Sequence, residues 1–241
     1  MQSLAAGSDR QTALIVGLWA SIPFDYLVKV SGKANIYEEL IRRFPAPLEH
    51  AAASLLLLRA LRLNCLTRDY EPLWEKLYES GFAEDRWTAL FQEWPQLGVA
   101  KREWTWDTPL RSDFERRAAL VEIDALAAIM LGLTADQLVL MYRGQFAVLR
   151  KYEYGMWFDN QGQKIAKDHH AQGVKQLPDD FRLLQAYHDG EDCGDLLQRY
   201  EDPFHHPDRE AEMRAAYDEF THRLRTSESA TSVDGSRATR A

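Results

Sequence analysis

Two capped helical patterns in the middle of the chain constrain the fold most strongly. Ser112 followed by Glu115 is the capping-box pattern that begins a helix, and Gly132 is the residue type that ends one. Thr134 then caps a second helical pattern, so the pair predicts an antiparallel helical hairpin. The residues expected on the buried face of the first helix are Ala119, Leu120, Ile123, Leu126, Ala127, Met130 and Leu131. Of these, we expect Leu120, Ile123, Leu126 and Met130 to pack against the second helix.

Apolar residues at helical spacing also dominate the remaining segments. Residues 11–30 predict one helix with a kink at Pro23 and an end at Gly32. Residues 48–66 predict a buried helix, and residues 69–82 an amphipathic one that stops at Gly81. A short helix after Pro178 and a last one over 207–224 complete the pattern. The fold class predicted is therefore mainly α, a helical bundle or a set of helical hairpins.

Three segments lack helical periodicity. Residues 82–108 carry four tryptophans among charges and predict an ordered, irregular connection whose rings fill a core; these are Trp87, Trp94, Trp104 and Trp106. Residues 157–176 are polar and rich in turn residues, which predicts a small hairpin or loop. Residues 225–241 are rich in Ser, Thr, Ala and Arg and predict a disordered tail.

Composition restricts the compartment and the partners. The net charge of −8 argues against a general coat for nucleic acid but allows a local basic face. The only two cysteines, Cys65 and Cys193, have no metal or redox spacing, which predicts reduced thiols in a cytoplasmic protein. No secretion signal opens the chain, and the longest apolar run is too short to span a bilayer. Arg59 and Arg62 follow that run, and we expect them to extend to the edge of the core.

Charge is unevenly distributed, because residues 1–68 hold eight basic and five acidic residues in an acidic protein. Four cations occupy the segment that leads from the first apolar helix to Pro45-Ala46-Pro47: Lys29, Lys33, Arg42 and Arg43. We call residues 29–43 the strap. Its charges are typical either of a solvated face or of a surface that contacts phosphates.

Patterns for catalysis are missing from the sequence. It has neither a Gly-rich phosphate or dinucleotide loop nor the Asn-Pro-Pro-aromatic segment with which adenine methyltransferases hold a flipped base. The pairs His169-His170 and His205-His206 lack further ligands at metal spacing, and adjacent side chains diverge on regular elements, so we predict no metal ligands. Four acids of one helix are predicted to form a solvated face: Asp113, Glu115, Glu122 and Asp124. We therefore predict no catalytic residues.

A resemblance supplies a function that the chemistry does not. The segment "ALIVGLWASIPFDYLVKVSGKANIYEELIRRFPAPL" resembles the closing segment of target-recognition domains in large type IIG-like restriction-modification adenine methyltransferases. The matching positions are Ala20-Ser21, Phe24-Asp25, Gly32, Asn35, Leu40 and residues 44–47. The blocks "LRALRLNCLTRDYEPLWEKLY", "TPLRSDFERRAALVEIDALAAIMLGLTADQLVLMYRGQFAVLRKYE" and "DPFHHPDREAEMRAAYDEFTHRL" resemble the C-terminal region of the same bacterial defence enzymes.

The resemblance implies a division of labour. Family members are longer and carry the S-adenosylmethionine pocket far upstream, so this chain would be a C-terminal piece, either a truncated product or half of a split enzyme. It implies three parts: the end of a recognition domain over residues 1–47, a helical domain over residues 48–224 and a disordered tail over residues 225–241. It also implies duplex DNA as partner through Lys29, Lys33, Asn35, Arg42 and Arg43, and a methyltransferase core in cis or trans. No cofactor and no methylation activity are expected in this chain, nor a membrane partner.

The alternative from a different class is a helical protein-interaction module that does not bind DNA. In that interpretation the strap is a solvated face, and the first helix packs inside the molecule. Salt-dependent DNA binding distinguishes the two hypotheses, because phosphate contacts make affinity fall steeply with ionic strength.

Overall fold

Helices form most of the regular structure in the computed structural model, which describes residues 7–33, 35–88 and 100–238. In chain order they are α1 Asp9–Trp19, α2 Ile22–Val30, α3 Glu38–Ile41, α4 Ala53–Asn64, α5 Glu71–Leu77, α6 Asp113–Met130, α7 Ala135–Gln145, α8 Ala147–Tyr154, α9 Asp180–Asp189, α10 Leu196–Arg199 and α11 Arg209–Ala238. The strands β1 Met156–Phe158 and β2 Lys164–Ala166 pair antiparallel, with Trp157 opposite Ile165. The predicted mainly α fold class is confirmed.

Helix α6 lies at the centre of the molecule. Its Ile123 and Leu126 share one hydrophobic cluster with Leu56 of α4 and Phe220 of α11. Leu14, Leu18 and Phe24 from the first 30 residues belong to the same cluster. Residues on both sides of position 47 therefore contribute to one hydrophobic cluster.

The first apolar segment is two helices instead of one kinked helix. Helices α1 and α2 meet at an angle of 71°, and Pro23 lies in the first turn of α2. Proline fits there because the first turn of a helix has no use for its backbone donor. No single helix in the described ranges has the length and apolar character to cross a membrane, whereas this bent pair meets both criteria together.

The predicted capping residues of α6 and α7 are confirmed, but the predicted facing residues were wrong. Ser112 with Glu115, and Thr134 with Gln137, form complete capping boxes, and Gly132 follows α6 with a φ of 69°. Helix α7 packs on Val121 and Ala128 of α6, while Ile123, Leu126 and Met130 face the cluster shared with α4 and α11. A central helix is buried on several sides, so its longest apolar stripe need not face its nearest neighbour in sequence.

The other segments differ from expectation at three places. Helix α5 ends at Leu77, and Gly81 lies within the separate 3-10 turn Ser80–Ala83, so the predicted stop at Gly81 was wrong. The hairpin at 157–176 is present as β1 and β2. Trp87 and Trp104 pack against the central cluster as predicted, whereas Trp106 is exposed; Trp94 lies outside the described residues. Helix α11 continues to Ala238, beyond the predicted end at 224 and into the segment whose composition predicts a disordered tail. Extending an existing helix avoids the cost of nucleation, and no proline interrupts this stretch.

Candidate nucleic-acid interface

Aromatic residues on either side of the strap pack against the core. Before it, Phe24 is fully buried in α2; after it, the ring of Phe44 lies edge-on against Phe24 and Trp19, at centroid distances of 6.0 and 6.2 Å. Between these anchors Lys33, Arg42 and Arg43 are exposed, and so is Tyr37. The strap thus exposes cations and one aromatic ring between two segments that are packed against the core.

The two arginines of the strap have carboxylate partners within their own helical turn. Arg42 Nη2 lies 2.5 Å from Glu38 Oε1, and Arg43 Nη2 lies 2.5 Å from Glu39 Oε1. Each partner is four residues away, the spacing at which helical side chains meet. The carboxylates offset part of the arginine charge, so the local positive potential is lower than a count of cations implies. Both pairs are exposed to solvent and therefore weak.

Lys29 and Asn35 differ from the other predicted contact residues. Lys29 Nζ lies 2.6 Å from Asp25 and 4.4 Å from the centroid of the Phe146 ring, so it folds back towards α7 and α8. Asn35 is exposed, and its amide donates to the Tyr37 hydroxyl at 3.2 Å. Lys33, Asn35, Arg42 and Arg43 are thus exposed along the strap, whereas the side chain of Lys29, at its first residue, turns back towards Phe146.

Lys29 lines a cavity of about 860 Å³ between α2, α6, α8 and the hairpin. Four carboxylates line it, and each has a cationic partner: Asp25 with Lys29, Asp113 with Lys164, Asp124 with Arg209, and Glu153 with both Arg117 and Arg209. A general acid or base needs a carboxylate whose proton can move to a substrate. All four of these carboxylates are engaged in ion pairs.

The floor of this cavity is a buried network of alternating charges. Arg209 contacts Glu153 at 2.6 Å and Asp124 at 2.7 Å, and Arg117 contacts Glu153 at 2.8 Å as well as Glu212. Burial raises the pKa of Glu153, but Arg209 and Arg117 outweigh it, and the net result is a lowered pKa. For Asp124 burial dominates, and its pKa is raised although Arg209 lies beside it.

Asp124 also explains how α2 begins. Its Oδ1 accepts the backbone N–H of Ile22 at 2.7 Å, which satisfies a donor at the N-terminus of α2 from a distant helix. The prediction that Asp113, Glu115, Glu122 and Asp124 form a solvated face was therefore wrong for two of them. Glu122 and Asp124 are buried, because arginines from other helices neutralise them.

Arg59 forms a second buried network, against the expectation that it reaches the edge of the core. Its side chain is 1% exposed and contacts Glu122 at 2.6 Å and Asp85 at 2.5 Å. Burial lowers the pKa of Arg59, but Glu122 and Asp85 together raise it above its usual value. Arg62 is also buried, with Nε donating to the carbonyl of Thr108 at 2.8 Å. Arg59 thus binds Asp85 and Arg62 binds the backbone of Thr108, which holds the described residues on both sides of 89–99 against α4.

The two histidine pairs have different surroundings. His205 pairs with Phe158 through backbone hydrogen bonds, and burial, aided by Arg117 and His206, lowers its pKa to about 4. His206 lies apart, with its ring 4.9 Å from that of Trp157. At the other pair, however, the rings of His169 and His170 lie 3.7 Å apart with Asp168 beside them. The expectation that adjacent histidines diverge was wrong there.

Some of these features have a local signal in the sequence, and others have none. Asp25, Glu38 and Glu39 stand four residues before Lys29, Arg42 and Arg43, which is the spacing of helical ion pairs. The partners of Arg59 are 26 and 63 residues away, so nothing near it in sequence indicates them. Comparison with protein-family models, curated proteins and solved structures finds no match to this chain.

Proposed function

We propose that the chain is a DNA-contacting scaffold portion of an adenine-specific DNA methyltransferase system in the bacterial cytoplasm. In this proposal a separate core, in cis or in trans, supplies S-adenosylmethionine binding and catalysis. The observation that carries the proposal is the anchored, exposed strap with Lys33, Arg42 and Arg43. The resemblance of residues 13–48 to the end of a target-recognition domain supports the same assignment.

The ion pairs of the strap do not prevent phosphate binding. Exposed pairs at this spacing contribute about 0.3–0.5 kcal/mol, so exchanging Glu38 or Glu39 for a phosphate costs little. A DNA phosphate also releases condensed counterions when an arginine neutralises it, which favours the exchange at low salt. Such contacts position the duplex and do not identify bases. Arg42 and Arg43 should therefore act on all duplexes alike.

The experiment measures binding of fluorescent duplexes by the full chain over a series of salt concentrations, starting at low ionic strength. The double variant Arg42→Ala/Arg43→Ala should weaken binding to duplexes of unrelated sequence by the same factor. The slope of log affinity against log salt should fall by about one for each phosphate that the variant no longer neutralises. The same samples should neither bind S-adenosylmethionine by calorimetry nor methylate DNA.

The matched control is Arg68→Ala/Arg182→Ala, which removes two exposed arginines that are also paired with acids close in sequence. It makes the same change in net charge, but both arginines lie outside the strap, so it should leave DNA affinity and salt slope unchanged. If both double variants act equally, the effect is one of total charge and the strap has no special role. If the parent chain binds no duplex even at low salt, the proposal fails.

A protein-interaction module is the second candidate, and the apolar residues of the same segment favour it. Val30, Ile36 and Tyr37 are all largely exposed, with Tyr37 at 63%. Exposed apolar groups interleaved with neutralised charges are typical of a protein contact. In that case Ile36→Ser/Tyr37→Ser would abolish capture of the partner, while Arg42→Ala/Arg43→Ala would have little effect.

A further inference from the structure

Three consecutive residues after β2 bring different metal-binding groups together. Asp168, His169 and His170 each offer one donor atom, and these atoms all lie within 4.8 Å of one another. The two imidazole rings lie side by side, with centroids 3.7 Å apart and planes inclined by 41°. All three side chains are accessible to solvent in some degree, and both histidines are exposed. The cluster is independent of the strap and of the cavity.

The local backbone explains why these neighbours converge. His169–Ala171 is a single 3-10 turn, and Asp168 caps it by accepting the backbone N–H of His170 at 3.0 Å. This hydrogen bond holds the carboxylate next to the two rings. Lys151 Nζ approaches the other carboxylate oxygen at 3.2 Å from an exposed position. A carboxylate can accept about four hydrogen bonds or metal contacts in all, so both oxygens keep capacity for a ligand.

Hydrogen bonds from a residue further along the loop also support the backbone on both sides of this turn. The side-chain carbonyl of Gln176 accepts the backbone N–H of Ala166 at 2.8 Å and that of Gly173 at 3.2 Å, while its amide donates to the Ala166 carbonyl. A Cβ at Gly173 would lie 2.2 Å from the carbonyl oxygen of Lys164, so the loop closes tightly onto β2. A supported backbone reduces the conformational cost of bringing ligands to one metal.

We propose that Asp168, His169 and His170 form a binding site for a divalent transition metal of the Zn²⁺, Ni²⁺ and Cu²⁺ class. Two imidazoles and one carboxylate suit these ions, whereas Mg²⁺ and Ca²⁺ prefer oxygen ligands alone. Ligand distances of about 2.0–2.2 Å require the donor atoms to approach one another further. Rotation of exposed side chains on the capped turn provides that movement, and coordination positions remain for water or for a ligand from another molecule.

The test is calorimetric titration of the untagged full chain with NiCl₂ and with ZnCl₂ in a buffer that does not chelate metals. We expect one equivalent to bind, with a dissociation constant on the order of micromolar. His169→Ala/His170→Ala should abolish this binding, and Asp168→Asn should weaken it by about tenfold or more. Lys151→Ala should bind at least as tightly as the parent, because it removes a competitor for the carboxylate. MgCl₂ should give no saturable binding.

The control is His222→Ala, an exposed histidine on α11, which should bind metal as the parent does. Because both histidines of the cluster are exposed, the variants that do not bind metal should melt at the same temperature as the metal-free parent, and this shows that they are folded. Metal binding of equal stoichiometry and affinity in His169→Ala/His170→Ala would overturn the proposal. So would the absence of saturable binding of either metal to the parent chain.

Discussion

The strap and the interior use the same chemical pair, an arginine with a carboxylate, for different purposes. In the strap, Arg42 and Arg43 each meet an acid four residues away, and both partners remain in solvent. In the interior, Arg59 and Arg209 meet acids from distant parts of the chain and are almost completely buried. The first kind of pair leaves a cation available to a partner molecule. The second kind fixes how helices and loops assemble.

The energetic difference between the two regions comes from solvent. Water screens the strap pairs, so each contributes little to folding, and a phosphate can replace the acid. In the interior, the attraction between charges must offset a desolvation cost of several kcal/mol for each ion. Removing an arginine there leaves the charge of its buried carboxylates less well compensated. Counting charges along the sequence therefore locates neither the stabilising pairs nor the exposed ones.

The largest expected effect is at Arg59. Changing Arg59→Met leaves Asp85 and Glu122 buried without their main partner and should lower the free energy of unfolding by about 3–5 kcal/mol. The matched change Arg42→Met in the strap should alter it by less than about 0.5 kcal/mol. Urea unfolding of both variants measures the contrast. A loss below about 1 kcal/mol at Arg59 would mean that water reaches this network and that the two regions do not differ.

A smaller effect should appear when an interior base is titrated. His205 has a pKa lowered from 6.5 to about 4, so below pH 6.5 the unfolded chain binds a proton that the folded chain does not. This contribution to stability is complete above pH 6.5 and is lost as the pH falls towards 4. Because the side chain is partly exposed, this loss of stability should be about 2 kcal/mol.

The check is urea unfolding at several pH values for the parent and for His205→Asn. The variant should lose less stability than the parent between pH 7 and pH 4, and His222→Asn on the surface should behave as the parent does. Other interior groups, such as Glu153 with its lowered pKa, also make the parent less stable in acid. The test therefore compares the loss of unfolding free energy in the parent with the loss in the variant. Identical pH profiles for the parent and His205→Asn would contradict the assignment of a neutral, partly buried His205.

The elements that sequence predicts well here are those with local causes. The start of α6 at Ser112 and the start of α7 at Thr134 follow from capping boxes, which act within four residues. The end of α6 at Gly132 follows from its backbone conformation, which favours glycine. The hairpin β1–β2 follows from polar turn residues between short apolar runs.

The interior could not be predicted in the same way, because its causes are distant in sequence. Nothing near Arg59 or Asp124 reveals that each has a buried partner more than 60 residues away. At the candidate interface, the sequence predicted four equivalent cations, whereas the side chain of Lys29 turns towards Phe146 and away from the other three. The convergence of His169 and His170 depends on a 3-10 turn, which the composition of that loop does not predict.

The smallest expected effect concerns the coupling between Glu38 and Arg42. A double-mutant cycle with Glu38→Ala, Arg42→Ala and the pair together should give a coupling energy of about 0.3–0.5 kcal/mol in unfolding, because both side chains are exposed. The coupling should vanish in about 1 M salt, where the Debye length is only about 3 Å.

Such a weak pair releases Arg42 to a phosphate readily, so Glu38→Ala alone should raise affinity for duplex DNA at low salt. A coupling above about 1 kcal/mol that persists in high salt would make the strap rigid and self-neutralised. The strap would then resemble the interior pairs, and the protein-interaction module would be the better account of this surface.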